Sequence, residues 1–309
     1  MKPVPIVFHL GPLAIHTYGI GLAITFAFGL LYTNRRLRAR GYPTAWMDRA
    51  FLWIVASAVV GARVVHVIAN FGQYYAAHPG QIVAVWNGGL SSYGGLLFAV
   101  PTGLWFARRR CRQLYGLAGL DFIAPVLMAC WSMGRLLGPN FEVSGGGLQT
   151  HAWYGLAYAG QPGLRIPVPI FECLESFGVL VVILWLERWV RARVGGRGVR
   201  ARGGRRALGG RRALGGGLGV RGPSVRGSEA GLTGLVLFAM LGLWDVARFF
   251  GEYAWLDRNP PFDAVEVASM ALAVVGFVGM AWVYLRWRKR PPASIKVGPA
   301  SAEPVPATR

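Results

Sequence analysis

The sequence predicts an all-α integral membrane protein with seven transmembrane helices, and three observations carry that prediction. Of 309 residues, 54% are hydrophobic and only 15% charged, against about 25% charged in a typical soluble domain. Several stretches approach the ~20 apolar residues that cross a bilayer. Residues 14–32, 90–107, 231–244 and 267–285 contain no Asp, Glu, Lys or Arg. Basic residues cluster just after such runs, the positive-inside pattern of cytoplasmic loops. A soluble chain would need several helices that are apolar all round packed into one domain.

In order, the expected spans are 14–34, 47–69, 91–108, 119–138, 171–190, 231–256 and 264–286. Arg35, Arg36, Arg38 and Arg40 follow the first, and Arg108, Arg109, Arg110 and Arg112 the third. Arg188, Arg191 and Arg193 follow the fifth, and Arg286, Arg288, Lys289 and Arg290 the seventh. An odd number of spans with this charge pattern puts the N-terminus outside and the C-terminus in the cytoplasm. Residues 71–89 hold no Lys or Arg, and 140–169 only Arg165, as outer segments should. The aromatic and Gly-rich stretch 140–169, with His151, is expected to form a small ordered outer cap. Spans one to five with this cap make one unit, 1–190, and the last two spans another, 231–286.

Between them, 194–227 is low in complexity, with "GGRRAL" repeated at 203–208 and 209–214. Such a stretch buries too little apolar area to fold and is expected to be a disordered basic cytoplasmic loop. The Pro/Ala-rich tail 291–309 is expected to be disordered too. The net charge of +20 does not mark a nucleic-acid binder, because the charge sits at span ends where anionic lipid headgroups attract it. RNA contact by the Gly/Arg loop is the lesser alternative. Cys111, Cys130 and Cys173 are odd in number and lack a CxxC spacing, so no disulfide framework is expected. Neither a metal nor another cofactor is implied. Pro3 and Pro5 after Lys2 break any signal-peptide pattern.

The informative residues are charges inside apolar segments, which face a bundle interior or a wet cavity. Arg63 lies late in span two, Arg135 late in span four, and Glu172 opens span five. Asp245, Arg248 and Glu252 lie late in span six, three and four apart on one helix face. All fall in the outward half of the membrane, with Tyr18 and Tyr93 at the starts of spans one and three. Arginine binds phosphate bidentately and stays charged. This set therefore points to an outward-facing phosphate site, with Glu172 and Glu252 holding the guanidinium groups and an excess of positive charge at that level. The competing assignment is an ion-pair network that only joins helices, and for Arg63 the two weigh equally. Tyr93, in "WNGGLSSYGG", is either a general base or an interfacial aromatic anchor. His16 and His66 are expected to be packed or interfacial, and His151 is a second candidate base.

Five motifs in order then resemble one family. They are "PIVFHLGPLAIHTYGIG", "GARVVHVIAN", "WNGGLSSYGG", "DFIAPVLMACWSMGRLLGPNF" and "IPVPIFECLESF". The chain is similar to bacterial prolipoprotein diacylglyceryl transferases from Pro5 to about Tyr284, outside the Gly/Arg loop and tail. The resemblance implies a multi-pass protein of the bacterial inner (cytoplasmic) membrane, with a periplasmic N-terminus and a periplasmic cap. It implies transfer of a diacylglyceryl group from phosphatidylglycerol to the lipobox cysteine thiol of prolipoproteins, forming a thioether and releasing glycerol phosphate. The partners implied are phosphatidylglycerol, prolipoprotein signal peptides and membrane lipids, and no nucleic acid.

By motif position, Tyr93, Arg135 and Arg248 are the catalytic candidates. Tyr18, Arg63, Gly94, Gly95, Asn140, Glu172 and Glu252 are the substrate-binding candidates. The chain departs from the family pattern in three places. Tyr93 stands where a histidine is common, "PVPIFE" replaces "PSQLYE", and the span-six pattern is blurred. Aligned on Gly242, Asp245 stands where an arginine belongs, and Arg248 supplies the guanidinium only if the helix is read one turn on. These departures support the alternative of a catalytically silent homologue that binds phospholipid or signal peptides. A small-solute transporter is the remote third, since no inverted repeat is visible.

Overall fold

The computed structural model describes residues 6–10, 13–85, 89–138, 145–206, 232–252, 254 and 264–289. A short antiparallel hairpin, β1 (Ile6–Leu10) and β2 (Leu13–His16), leads into helix α1 (Thr17–Ala39). Helix α2 (Met47–Ala69) follows, then a π-helical turn (Phe71–Tyr75) and a 3-10 turn (Pro79–Val83). Helices α3 (Ser92–Arg110) and α4 (Leu117–Leu137) come next. A two-stranded hairpin, β3 (Leu156–Ala157) and β4 (Leu164–Arg165), precedes α5 (Val168–Arg206), α6 (Leu235–Glu252) and α7 (Ala264–Lys289).

Among the described residues, four helical segments are long and apolar enough to cross a membrane: Met47–Ala69, Leu117–Leu137, Val168–Arg193 and Glu266–Lys289. The other three helices are shorter or carry more charge. Helix α6 has Asp245, Arg248 and Glu252 in 18 residues, and α3 ends on three arginines. Two features depart from the sequence expectation. The N-terminal hairpin precedes α1, so the expected first span starts three residues late, at Thr17. Helix α5 runs on to Arg206, so the stretch expected to be disordered from Val194 begins as helix. Once a helix is nucleated, each further residue needs only one more hydrogen bond, and no proline stops this one. The rest of the Gly/Arg loop, 207–227, lies outside the described residues, as does the tail.

Helix α2 packs on α3, α6 on α7, and α4 on α1, α5 and α6. The main core joins α4, α5 and α6 through Met128, Ile183, Met240 and Trp244. Leu37, Met47, Ala107, Cys111, Leu114 and Phe122 form a second core at the basic end of α1 to α4. Outer faces are apolar instead of polar: Leu52, Trp53, Ile68, Trp185 and Val278 are all more than half exposed. With the backbone hydrogen-bonded within helices, that surface suits lipid.

Two contacts position the helices. Gly61 of α2 and Gly94 of α3 meet backbone to backbone, and a Cβ on Gly94 would overlap the Gly61 carbonyl and lie 2.7 Å from Val65 Cβ. Small residues allow such close approach between membrane helices. At the basic end, Asp121 of α4 accepts hydrogen bonds from the backbone N–H groups of Gly234 (2.5 Å) and Leu237 (2.8 Å). A carboxylate from another helix thus satisfies donors that the first turn of α6 leaves open.

Candidate functional site

At the end of the bundle opposite the basic clusters, three helices converge on one carboxylate. Glu172, in the first turns of α5, is 4% exposed. Its Oε2 lies 3.0 Å from Arg135 Nε at the end of α4. Its Oε1 accepts from Nη1 of Arg248 on α6. Arg248 also pairs with Glu252 one turn on, at 3.4 Å. The Arg135 guanidinium lies 5.1 Å from the Trp131 ring centroid, and Trp131 packs edge-on against Trp244 of α6. Ser132 ties α4 to α5 nearby, its hydroxyl donating to the Cys173 carbonyl at 2.9 Å.

Arg135 also lines a groove of about 490 Å³ between α1, α2, α3 and α4. The walls are almost wholly apolar and run from Arg135 and Ser92 down to Phe122 and Met47 near the basic end. A cation at one end of a deep hydrocarbon slot is what an amphiphile with an anionic head requires.

The structure brings together Arg135, Glu172, Arg248 and Glu252, and among the described residues two arginines face two glutamates in this cluster. An anion entering here must share guanidinium groups with Glu172. Asp245 is 1% exposed, and neither carboxylate oxygen has a hydrogen-bond partner among the described residues. Arg248, not Asp245, reaches Glu172.

Arg63 is elsewhere. It is 6% exposed and donates to the backbone carbonyls of Ile82 (2.9 Å), Gly89 (3.0 Å) and Gln81. It braces the segment between α2 and α3 and lies 5.4 Å from the Tyr75 ring centroid. Nothing in the sequence marked those carbonyls as its partners. Tyr93 is 41% exposed on the first turn of α3. Ser92, Gly95, Leu96 and Ala99 line the groove and Tyr93 does not, because it lies about 100° round the helix from Ser92. Gly95 forms groove wall, while Gly94 is taken up by helix packing. Tyr18 falls in the first turn of α1, but its side chain is outside what is described, and Asn140 lies outside the described residues altogether.

In the segment before α5, Gln161 accepts from the Gly146 N–H and donates to the Gly146 carbonyl, both at 2.9 Å. The β3–β4 hairpin and the Gln149–Arg165 bridge complete a small folded unit. Tyr158 is 5% exposed there, and burial pushes its phenol up to about 12.

A family model described as prolipoprotein diacylglyceryl transferase matches residues 5–200. A protein of Tolumonas auensis named phosphatidylglycerol–prolipoprotein diacylglyceryl transferase is 33% identical over 193 residues, 61% of this chain and 73% of its own length. A Polaromonas protein of the same name is 34% identical over 197 residues, 59% of this chain and 70% of its own. A Vibrio cholerae protein, named likewise, is 32% identical over 296 residues, 91% of this chain and 92% of its own. That last match is long enough to take in α6 and α7, which the family model leaves out.

Proposed function

We infer the chemistry of the Arg135–Glu172 site from one premise: this chain belongs to the prolipoprotein diacylglyceryl transferase family. It is a transferase that moves a diacylglyceryl group from phosphatidylglycerol to prolipoproteins. Its helices are those of a multi-pass membrane protein. We further assign seven spans by adding α1, α3 and α6 to the four most apolar ones; even the 18-residue α6 reaches about 27 Å. We assign the N-terminus and the Glu172 site to the periplasmic side of a bacterial inner membrane, an orientation that the basic clusters support.

The observation that carries the mechanism is Arg135, held by Glu172 at one end of the hydrocarbon groove. The acyl chains of phosphatidylglycerol lie along the groove. Its phosphate meets Arg135, with Arg248 beside it on the same carboxylate. The lipobox cysteine of the signal peptide attacks the glyceryl carbon that carries the phosphate. A C–S bond forms, the C–O bond breaks, and the electron pair leaves on the phosphate oxygen. The thiol proton is balanced on the departing glycerol phosphate. Arg135 and Arg248 stabilise the charge that grows on that oxygen, the preorganised electrostatic contribution that is usually largest in enzymes. Glu172 and Glu252 fix the guanidinium positions before substrate arrives.

The test is transfer itself. The chain is expressed in cells depleted of their own transferase, with labelled phosphatidylglycerol and a reporter prolipoprotein. Wild type labels the reporter, and Arg135→Ala loses at least about a hundredfold in rate, the scale of removing one charge-stabilising donor. Correct insertion without transfer removes the enzyme assignment. Full transfer by Arg135→Ala removes the phosphate site.

A further inference from the structure

The turn Ala152–Gly155, in the folded unit before α5, has an unusual composition. Its Gly155 N–H donates to the Ala152 carbonyl at 3.0 Å, and the Ala152 N–H donates to the Thr150 hydroxyl at 3.1 Å. Turns normally carry Gly, Pro, Asn, Asp or Ser. Here the two central residues are Trp153 and Tyr154. Trp153 is 95% exposed, more than any other large hydrophobic side chain among the described residues. Among those residues its one ring contact is edge-on with Tyr154, at 5.8 Å between centroids. An indole is a large apolar surface to leave in water.

The rings lead back to lipid. Tyr154 packs on Phe171 of α5, with centroids 5.7 Å apart. Leu174, Phe177 and Val181 follow Phe171 at helical spacing and are 60%, 55% and 51% exposed. In a multi-pass membrane protein such a stripe faces the hydrocarbon. The aromatic series continues that lipid-facing surface off the end of α5 and out to the turn.

The unit tolerates such a location. Arg165 is the one charged residue in 145–167. The Gly147 N–H donates to the Ile166 carbonyl, the Ile166 N–H to Leu148, and the Thr150 N–H to Leu164, each at 2.9 Å. Paired backbone groups and little charge lower the cost of meeting a medium less polar than water. Shape then decides between occupants. A ring this exposed stands out from the surface, whereas small ligands are held in concave sites. A convex aromatic tip suits a fluid phase, and tryptophan is enriched at the membrane–water interface.

We propose that the Ala152–Gly155 turn is a membrane anchor, with Trp153 seated among the lipid headgroups of the leaflet at the Glu172 end. The indole body meets the top of the acyl chains, and its N–H donates to headgroup oxygens. Phe171, the chain neighbour of Glu172, joins the anchor to the helix end that holds Arg135. This rests on the multi-pass membrane assignment and not on the chemistry at Arg135, so a chain that inserts without transferring leaves it standing.

The experiment uses the full chain, labelled with fluorotryptophan, in nanodiscs of phosphatidylcholine and phosphatidylglycerol. Trp153→Phe identifies the Trp153 fluorine resonance. A lipid spin-labelled at the top of its acyl chain should broaden that line more than a gadolinium chelate in the buffer does. Equal broadening, or broadening mainly by the chelate, overturns the proposal. So does a line that feels a spin-labelled lipobox peptide and not the lipid, which would make the turn a peptide site. Hydrogen exchange gives a second reading. Trp153→Ala removes a side chain that packs on little of the protein, so the unit folds, but its amides in 145–167 should exchange about tenfold faster in the discs once the anchor is lost. Exchange equal in wild type and variant overturns the anchor as well.

Discussion

Glu172→Gln isolates what one carboxylate does for two arginines. Glutamine keeps the shape and one acceptor oxygen but removes the charge that Arg135 and Arg248 share. Removing one partner of a buried ion pair costs about 3–5 kcal/mol. Here the arginine side chains are 20% and 17% exposed, so solvent offsets part of that and the low end, about 3 kcal/mol, applies. If the loss falls on the transition state, the rate drops about a hundredfold. The Michaelis constant should move little or fall, because Glu172 competes with the lipid phosphate for the same donors. The assay is steady-state transfer from labelled phosphatidylglycerol to a lipobox peptide, with rate and Michaelis constant measured separately. A rate within about threefold of wild type refutes the reasoning. So does an unchanged rate with a proportionate rise in Michaelis constant, which would make Glu172 a ground-state binding group.

Tyr93→Phe should transfer at a rate within about twofold of wild type, because Tyr93 is turned off the groove; a hundredfold loss would restore it as the base. Gly94→Ala should destabilise the α2–α3 pair by about 1–3 kcal/mol, the usual cost of overpacking, read as a lower midpoint in thermal unfolding. An unchanged midpoint would mean the two helices are not in backbone contact. The segment holding Tyr158 should lose protection as pH rises from about 10 to about 12, followed by hydrogen exchange at its amides. The sign comes from burial. The folded phenol, pushed up to about 12, keeps its proton where an unfolded one with pKa about 10 loses it. The contribution of the buried phenol is therefore complete below the lower value and lost above the higher one. Constant protection across that window contradicts a buried Tyr158.

The helices were legible because apolar runs long enough to cross a bilayer have few other uses. Met47–Ala69 falls on the expected limits. Arg135, Glu172, Arg248 and Glu252 were legible because charge inside apolar sequence needs a partner. Which charges meet is a matter of three-dimensional packing that a sequence does not state. Arg63 sits against the backbone carbonyls of Gln81, Ile82 and Gly89. Helical phase decides whether a residue faces the groove, and one position separates Ser92 on the wall from Tyr93 off it. Arg63 was illegible because its named partners are backbone carbonyls, which every residue carries. Asp121 was not singled out in the sequence, since its partners are amides more than a hundred positions away.

That Asp121 contact has a consequence for how the chain can be divided. Helix α6 is registered by a carboxylate on α4, not by the peptide that leads into it. A break in the chain between α5 and α6 would leave that contact intact, because Asp121 and the Gly234 and Leu237 amides all lie outside the connecting stretch.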